Sequence, residues 1–248
     1  MSADSSNSKG MGRHELTAPD PSRLLFAGDP HGRFDPIRTA VEAYRPEAVI
    51  LLGDYELEVP LDETLGPVTE QTQVWWIAGN HDFVQTHFYD HLFGSRLAER
   101  NLHGRVVEIA GLRVAGLGGH FQGKIWYPRQ GQAEPKFTSR DAFLAQLGKG
   151  NRWRGGLPRK RRGAIWHEDV SALSEEQADV LVTHEAPGCH HLGFRAIDEL
   201  AKALGARLIV HGHLHEHYRV PSRAGAPCVF GVGEAEVVDL NGNRLSAE

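Results

Sequence analysis

Five short clusters of carboxylate, imidazole and amide side chains could do chemistry in this chain, and each follows an apolar run. They are the pair Asp29 and His31, the single Asp54, the pair Asn80 and His81, the single His184, and the pair His213 and His215. These mixed oxygen and nitrogen donors suit Mn, Fe, Co, Ni or Zn better than Ca. They outnumber the ligands of one ion, but two ions about 3.5–4 Å apart that share a carboxylate would use them all. The clusters predict a centre for two divalent metal ions.

The apolar runs in front of these clusters are typical of buried strands. They cover residues 23–27, 48–52, 74–77, 180–183 and 207–210, and predicted helices over 35–44, from 174 onward and over 196–204 lie between them. Ligands of open α/β sheets collect outside the carboxyl ends of the strands. The pattern therefore predicts an α/β fold in which the five clusters meet at one edge.

The order of the clusters resembles a known family. The blocks Asp-x-His, Gly-Asp, Gly-Asn-His-Asp, His and Gly-His-x-His, which span residues 29–215, resemble those of the calcineurin-like metallophosphoesterase superfamily. The resemblance implies an α/β/β/α four-layer sandwich and phosphoester hydrolysis at a dinuclear metal centre, with Mn favoured over Fe, Zn, Ni and Co. We expect residues 1–22 to be a flexible tail and residues 23–248 to form one domain with a basic insert at about 121–170.

The resemblance also implies a role for each residue of the clusters. One ion would be held by Asp29, His31 and His215, the other by Asn80, His184 and His213, and both by Asp54 as a bridge. His81 would not bind metal, but would meet the substrate and protonate the departing alkoxide as a general acid.

The second block departs from the phosphoprotein phosphatases of this superfamily, which carry Gly-Asp-x-x-Asp-Arg-Gly there. Here Leu57 stands in place of the aspartate that orients the catalytic histidine, and Glu58 stands in place of the arginine that clamps phosphate. An acidic residue would repel the substrate. The sequence is therefore nearer to diverse bacterial phosphoesterases and class III cyclic-nucleotide phosphodiesterases, and another cation should hold the anion.

The charge distribution indicates where that cation could lie. Residues 121–166 contain eleven Lys and Arg but only two acidic residues, so this stretch has a net charge of +9. The rest of the chain has a net charge of −14, and the two together give the overall −5. A basic insert on an acidic body predicts an anionic substrate or partner. The candidate substrate-binding residues are Lys124, Arg129, Arg152 and Arg154 of the insert, together with His120. The insert aromatics Trp126, Tyr127, Trp153 and Trp166 would either stack on nucleic-acid bases or pack the insert onto the body.

Three functions fit these features. The leading one is a phosphatase or phosphodiesterase that acts on a phosphorylated small molecule or nucleotide. The alternative is a nuclease or a cyclic-nucleotide or nucleic-acid phosphodiesterase with the same metals, whose insert tracks the nucleic-acid backbone. A non-catalytic scaffold is the third, and the intact ligand set argues against it. The chain has two cysteines and no apolar run of membrane-spanning length. We therefore expect a cytoplasmic protein without a membrane partner.

Overall fold

A computed structural model describes residues 20–129, 134–223 and 225–245. Most of the predicted tail lies outside these residues, and its described end runs into a 3-10 turn at Pro21–Arg23. The helices are Asp35–Tyr44 (α1), Leu61–Leu65 (α2), Thr86–Phe93 (α3), Arg140–Gln146 (α4), Arg159–Arg162 (α5), His167–Ser174 (α6) and Arg195–Leu204 (α7). The strands are Leu24–Ala27 (β1), Ala48–Leu51 (β2), Gln73–Trp76 (β3), Arg105–Ile109 (β4), Leu112–Leu117 (β5), Val180–Thr183 (β6), Leu208–His211 (β7), Tyr218–Val220 (β8), Cys228–Gly231 (β9) and Val237–Val238 (β10).

The strands form two mixed sheets. The first has the order β10-β1-β2-β3, and the second has the order β4-β5-β6-β7-β9-β8. In the first sheet Ala27 pairs with Leu51, and Leu51 pairs with Trp76, so three parallel strands end at one level. In the second sheet Thr183 pairs with His211 in the same way. This register places the loops that carry the five clusters at the same end of each sheet.

The two sheets pack face to face, with helices on their outer faces. Side chains of β1 alternate, since Leu24 and Phe26 belong to the core between the sheets, whereas Leu25 contributes to the core beneath α1. Val182 and Val210 of the second sheet enter the same central core. A third core lies on the other side of the second sheet, beneath α6 and α7. This layering confirms the predicted α/β/β/α sandwich.

The start predicted for the helix at residue 174 is wrong, because α6 ends at Ser174 instead of beginning there. The hydroxyl of Ser174 donates to the Ser171 carbonyl oxygen, 2.7 Å away, within the last turn. At the true beginning, Asp169 accepts a hydrogen bond of 3.2 Å from the backbone N–H of Trp166. The predicted helices at 35–44 and 196–204 are observed, and the second ends in the left-handed Gly205.

The basic insert packs onto the second sheet and contributes to its core. Trp126 is 6% exposed and Trp166 is fully buried, and both belong to the core under α6 and α7. Arg140 forms ion pairs with Glu168 and Asp169, which joins α4 to α6. Trp126 and Trp166 thus serve packing, the second of the two roles considered for the aromatic residues of the insert.

This packing predicts that Trp166 stabilises the whole domain. Replacing Trp166 by Ala should lower the free energy of unfolding by about 3–5 kcal/mol, since it leaves a large cavity in the core. Urea denaturation measures the change. Leu192→Ala is the matched control, because Leu192 is 44% exposed and its loss should cost less than about 1 kcal/mol. Similar losses for the two variants would show that the insert does not share the domain core.

Candidate metal centre

The loops after β1, β2, β3, β6 and β7 bring the predicted ligands together between the two sheets. The contact that joins the sheets is made by His184, whose Nδ1 lies 2.8 Å from the carbonyl oxygen of Leu52. A second contact comes from the backbone N–H of His213, which donates to Asp29 Oδ2 over 2.5 Å. Side chains from distant parts of the chain therefore share one small volume.

The predicted ligands fall into two groups. In one group, His31 Nε2 lies 3.1 Å from His215 Nε2, and His215 Nε2 lies 3.9 Å from Asp29 Oδ2. Two basic ring nitrogens at such a distance compete for one proton or share one cation. The first group thus joins two imidazoles to one carboxylate.

The second group surrounds His184. Its Nε2 lies 3.0 Å from Asn80 Oδ1 and 3.4 Å from Asp54 Oδ2, and its ring centroid lies 4.8 Å from that of His213. One donor atom each from Asp54, His184 and His213 can be chosen so that all lie within 4.8 Å of one another, which suits a metal ion. His184 Nδ1 also lies 3.6 Å from Asp29 Oδ1, so the two groups adjoin each other.

Backbone strain is concentrated in these loops. Of the nine non-glycine residues with a positive φ in the described part of the chain, five lie here, namely His31, Asp54, Glu56, His213 and His215. Each left-handed residue of this kind costs about 1–2 kcal/mol. Such strain persists where the surrounding structure fixes it and gathers at functional sites.

Glycines permit the close approach of the loops. A Cβ atom on Gly79 would lie 2.1 Å from Asp54 Oδ1 and 2.5 Å from His184 Cε1. A Cβ atom on Gly212 would lie 2.5 Å from Asp29 Oδ1. No side chain fits at either place. The glycines of the Gly-Asn-His-Asp and Gly-His-x-His blocks are thus required by the spacing of the donors.

The carboxylates of the site are almost completely removed from solvent. Asp29 is fully buried, and burial raises its pKa to about 7, against the opposing effect of His184. Burial has the same effect on Asp54, but the neighbouring His184 outweighs it and lowers the Asp54 pKa below its usual value. Burial disfavours the charged form of His184, yet Asp54 raises its pKa to about 10. Negative charge at this centre is therefore compensated by a cationic partner.

Three further imidazoles near the site, those of His120, His213 and His215, have a lowered pKa. Burial, followed by the nearby His184, lowers the pKa of His213 to about 3 and that of His120 to about 4. The pKa of His215 is lowered too, first by burial and then by His31. Neutral imidazole is the form that binds a metal ion.

A carboxylate that the sequence analysis did not single out lies beside His81. Glu56 Oε1 is 2.7 Å from His81 Nδ1 and 3.1 Å from His31 Nδ1. Leu57, which stands in place of the orienting aspartate that the resemblance led us to expect, is 1% exposed and belongs to the core. The side chain of Glu58 is 80% exposed and lies 3.6 Å from His87. The left-handed backbone of Glu56 directs its side chain toward the site. Residue types alone do not reveal this backbone conformation.

Asp82 is a second residue whose role the sequence did not reveal. Its carboxylate accepts hydrogen bonds from the backbone N–H groups of Asp54, Tyr55 and Gly79, at 3.1, 2.9 and 2.7 Å. The side chain is 1% exposed. Asp82 thus fixes the loops after β2 and β3 to one another. The last aspartate of the Gly-Asn-His-Asp block is the signal that could have identified it.

The candidate substrate residues of the insert have different positions. Lys124 is exposed, and Arg129 donates to the His191 carbonyl oxygen over 3.0 Å. Arg152 donates to the Leu144 carbonyl oxygen, and Arg154 forms an ion pair with Asp90 at 2.6 Å. These contacts tie the insert to itself, to α3 and to the loop after β6. They do not favour the hypothesis that Arg152 or Arg154 holds the substrate.

A cavity of about 260 Å³ opens beside Asn80. Its lining comprises Asn80, Phe83, Val84, His120, Phe121, Gln122, Lys160 and Arg161. His120 was among the predicted substrate residues, but the two basic lining residues, Lys160 and Arg161, were not. None of the helices in the described part of the chain has the length and hydrophobicity of a membrane span.

Comparisons with known proteins agree with this geometry. An uncharacterized protein of Haemophilus influenzae is 38% identical over 222 residues, which cover 90% of this chain and 96% of that protein. A protein of Thermus thermophilus superimposes with a TM-score of 0.55 at 16% identity, with 91% of this chain and 97% of the other covered. A dimetal phosphatase from Danio rerio gives a TM-score of 0.51 at 14% identity, with 89% and 93% covered. These two structures share the fold.

The family model of the calcineurin-like phosphoesterases matches residues 22–217, a range that includes all five clusters. The match extends from the start of the first sheet to the loop after β7, so it covers most of the chain. The chain therefore belongs to the calcineurin-like phosphoesterase family.

Proposed function

We propose that this protein hydrolyses a phosphoester bond at a centre of two divalent metal ions. The observation that carries the proposal is the convergence of seven donor side chains from five strand ends into two groups. The residues fit such ions, because Asp29 Oδ1 is buried and has no hydrogen-bond partner among the described residues. A buried oxygen of this kind is costly unless a cation or donor satisfies it.

In the proposed centre each ion would take ligands from one group, and Asp54 would serve both. Asp29, His31 and His215 would hold the first ion, and Asn80, His184 and His213 would hold the second. This donor set has no thiolate and no all-oxygen shell, so it suits Mn²⁺, with Fe, Zn, Ni or Co as alternatives.

The chain's own residues supply the remaining chemistry. Ions held by these residues would supply a hydroxide nucleophile at neutral pH and neutralise the charge of the phosphate. The side chain of His81 is 43% exposed, so it can reach a substrate and protonate the departing oxygen as general acid. The carboxylate of Glu56, at 2.7 Å from His81 Nδ1, fixes the ring and leaves Nε2 to face the substrate.

We propose a phosphorylated small molecule or nucleotide as the substrate, in a phosphatase or phosphodiesterase reaction. The nuclease alternative is less favoured because Trp126 and Trp166 are buried. Both cysteines, Cys189 and Cys228, are free thiols, which supports a cytoplasmic location.

The first test compares two colorimetric substrates and two variants. With added Mn²⁺, the protein should hydrolyse para-nitrophenyl phosphate, bis-para-nitrophenyl phosphate or both. His81→Ala should lower turnover of phenyl phosphate, whose leaving group needs a proton, by about 10²–10⁴-fold, and that of para-nitrophenyl phosphate less. It should keep its metal, because the backbone N–H that donates to Asp54 Oδ1 over 2.8 Å is retained. Asp54→Asn should lose both activity and metal.

Elemental analysis of the purified variants supplies the second readout. Equal metal loss in His81→Ala and Asp54→Asn would contradict the division of roles between general acid and ligand. Failure of the Mn²⁺-loaded protein to cleave either substrate would contradict phosphoester hydrolysis at this site.

The contact between Glu56 and His81 predicts a dependence on the leaving group. Glu56→Gln should slow hydrolysis of phenyl phosphate by about tenfold or more, and slow para-nitrophenyl phosphate less, because para-nitrophenolate departs without a proton. Glu58→Gln is the matched control, since Glu58 makes no contact with His81 within the described residues. An equal effect of Glu56→Gln on both substrates would show that Glu56 does not act through the general acid.

A further inference from the structure

We propose that the cavity beside Asn80 binds the organic part of the substrate and selects phosphoesters that carry a second anionic group. The inference rests on the proposed function, because it takes the scissile phosphate to lie at the metal centre. Asn80 connects the two places, since it lines the cavity while its Oδ1 lies 3.0 Å from His184 Nε2. A substrate bound at the centre can therefore extend directly into the cavity.

The size of the cavity suits part of a substrate. Its volume of about 260 Å³ is slightly below the range of about 300–1,000 Å³ for pockets that enclose a whole drug-sized ligand. His120 also lines the cavity, and its Nδ1 is a buried nitrogen without a hydrogen-bond partner among the described residues.

The lining combines apolar and cationic surface. Phe83 and Phe121 are 4% and 3% exposed and are fixed by aromatic neighbours, Tyr89 for the first and Phe194 for the second. These rings favour an organic group over a bare phosphate ion. Lys160 and Arg161 from α5 supply the positive charge at the same cavity.

The four consecutive basic residues of α5 divide into two kinds. Arg159 donates to the carbonyl oxygens of Phe83 and Val84, and Arg162 donates to the Tyr89 hydroxyl, so both anchor the helix. Lys160 and Arg161 form no ion pair among the described residues. This contrasts with Arg154 of the same insert, which is neutralised by Asp90.

Gln122 fixes the backbone of Lys160 and the side chain of Arg161 at the cavity. Its Nε2 donates to the Lys160 carbonyl oxygen over 2.8 Å, and its Oε1 accepts a hydrogen bond from Arg161. An amide orients the arginine without cancelling its charge. Two cations without a carboxylate partner, next to an apolar lining, are suited to a carboxylate or a second phosphate on the substrate.

The test uses three substrates that differ at one position, namely phenyl phosphate, 4-carboxyphenyl phosphate and 1,4-phenylene bisphosphate. Lys160→Ala should lower kcat/KM for the doubly anionic compounds by about tenfold more than for phenyl phosphate. Taking the ratio of wild type to variant for each substrate cancels their intrinsic reactivities. A larger loss on the bisphosphate identifies phosphate as the preferred second group, and a larger loss on the carboxylate identifies that group.

Lys149→Ala is the matched control, because Lys149 is an exposed residue of the insert that does not line the cavity. It should lower kcat/KM equally for all three substrates or not at all. The proposal is overturned if Lys160→Ala loses activity equally on the three substrates. It is also overturned if Lys149→Ala loses the preference for doubly anionic substrates. If the wild type cleaves none of them, the proposed function fails separately. In that case calorimetry with the same compounds tests the cavity directly. The wild type must bind the doubly anionic compounds more tightly than phenyl phosphate, and Lys160→Ala must lose this difference.

Discussion

The site depends on two carboxylates, Asp29 and Asp54, that are buried beside one fully buried imidazole, His184. Burying ionised groups away from water is costly unless they are paired. The pairing here links the two sheets, because His184 follows β6 of the second sheet and both aspartates follow strands of the first. The same residues that hold the two halves of the sandwich together would also supply metal ligands once His184 releases its proton.

The sandwich makes this pairing possible through register and strain. Parallel strands of each sheet end at one level, so loops distant in sequence open toward the same volume. Positive φ angles at Asp54 and Glu56 then direct side chains of one loop to different places. Asp54 faces the buried centre, and Glu56 faces the more exposed ring of His81. The strands thus fix where the centre lies, and the strained loops fix which side chains face it.

Apolar runs predicted an α/β fold and the side chains that meet at one edge, because strand periodicity places the clusters at the strand ends. The four-layer sandwich was implied by the resemblance of the motif order to the family. The role of Glu56 was not predictable, since it depends on a backbone angle that moves the partner of His81 one position from the family pattern. The residues of the insert that face the cavity were also missed. Charge alone does not distinguish Arg154, which binds Asp90, from Lys160, which has no carboxylate partner among the described residues.

Anomalous scattering from crystals grown with Mn²⁺ tests the central claim most directly. We expect two anomalous peaks about 3.5–4 Å apart, one beside Asp29, His31 and His215 and the other beside Asn80, His184 and His213, with Asp54 between them. A different set of three side chains, His31, Glu56 and His81, also has donor atoms within 4.8 Å of one another. A single peak, or a peak held by that set, would contradict a dinuclear centre bridged by Asp54.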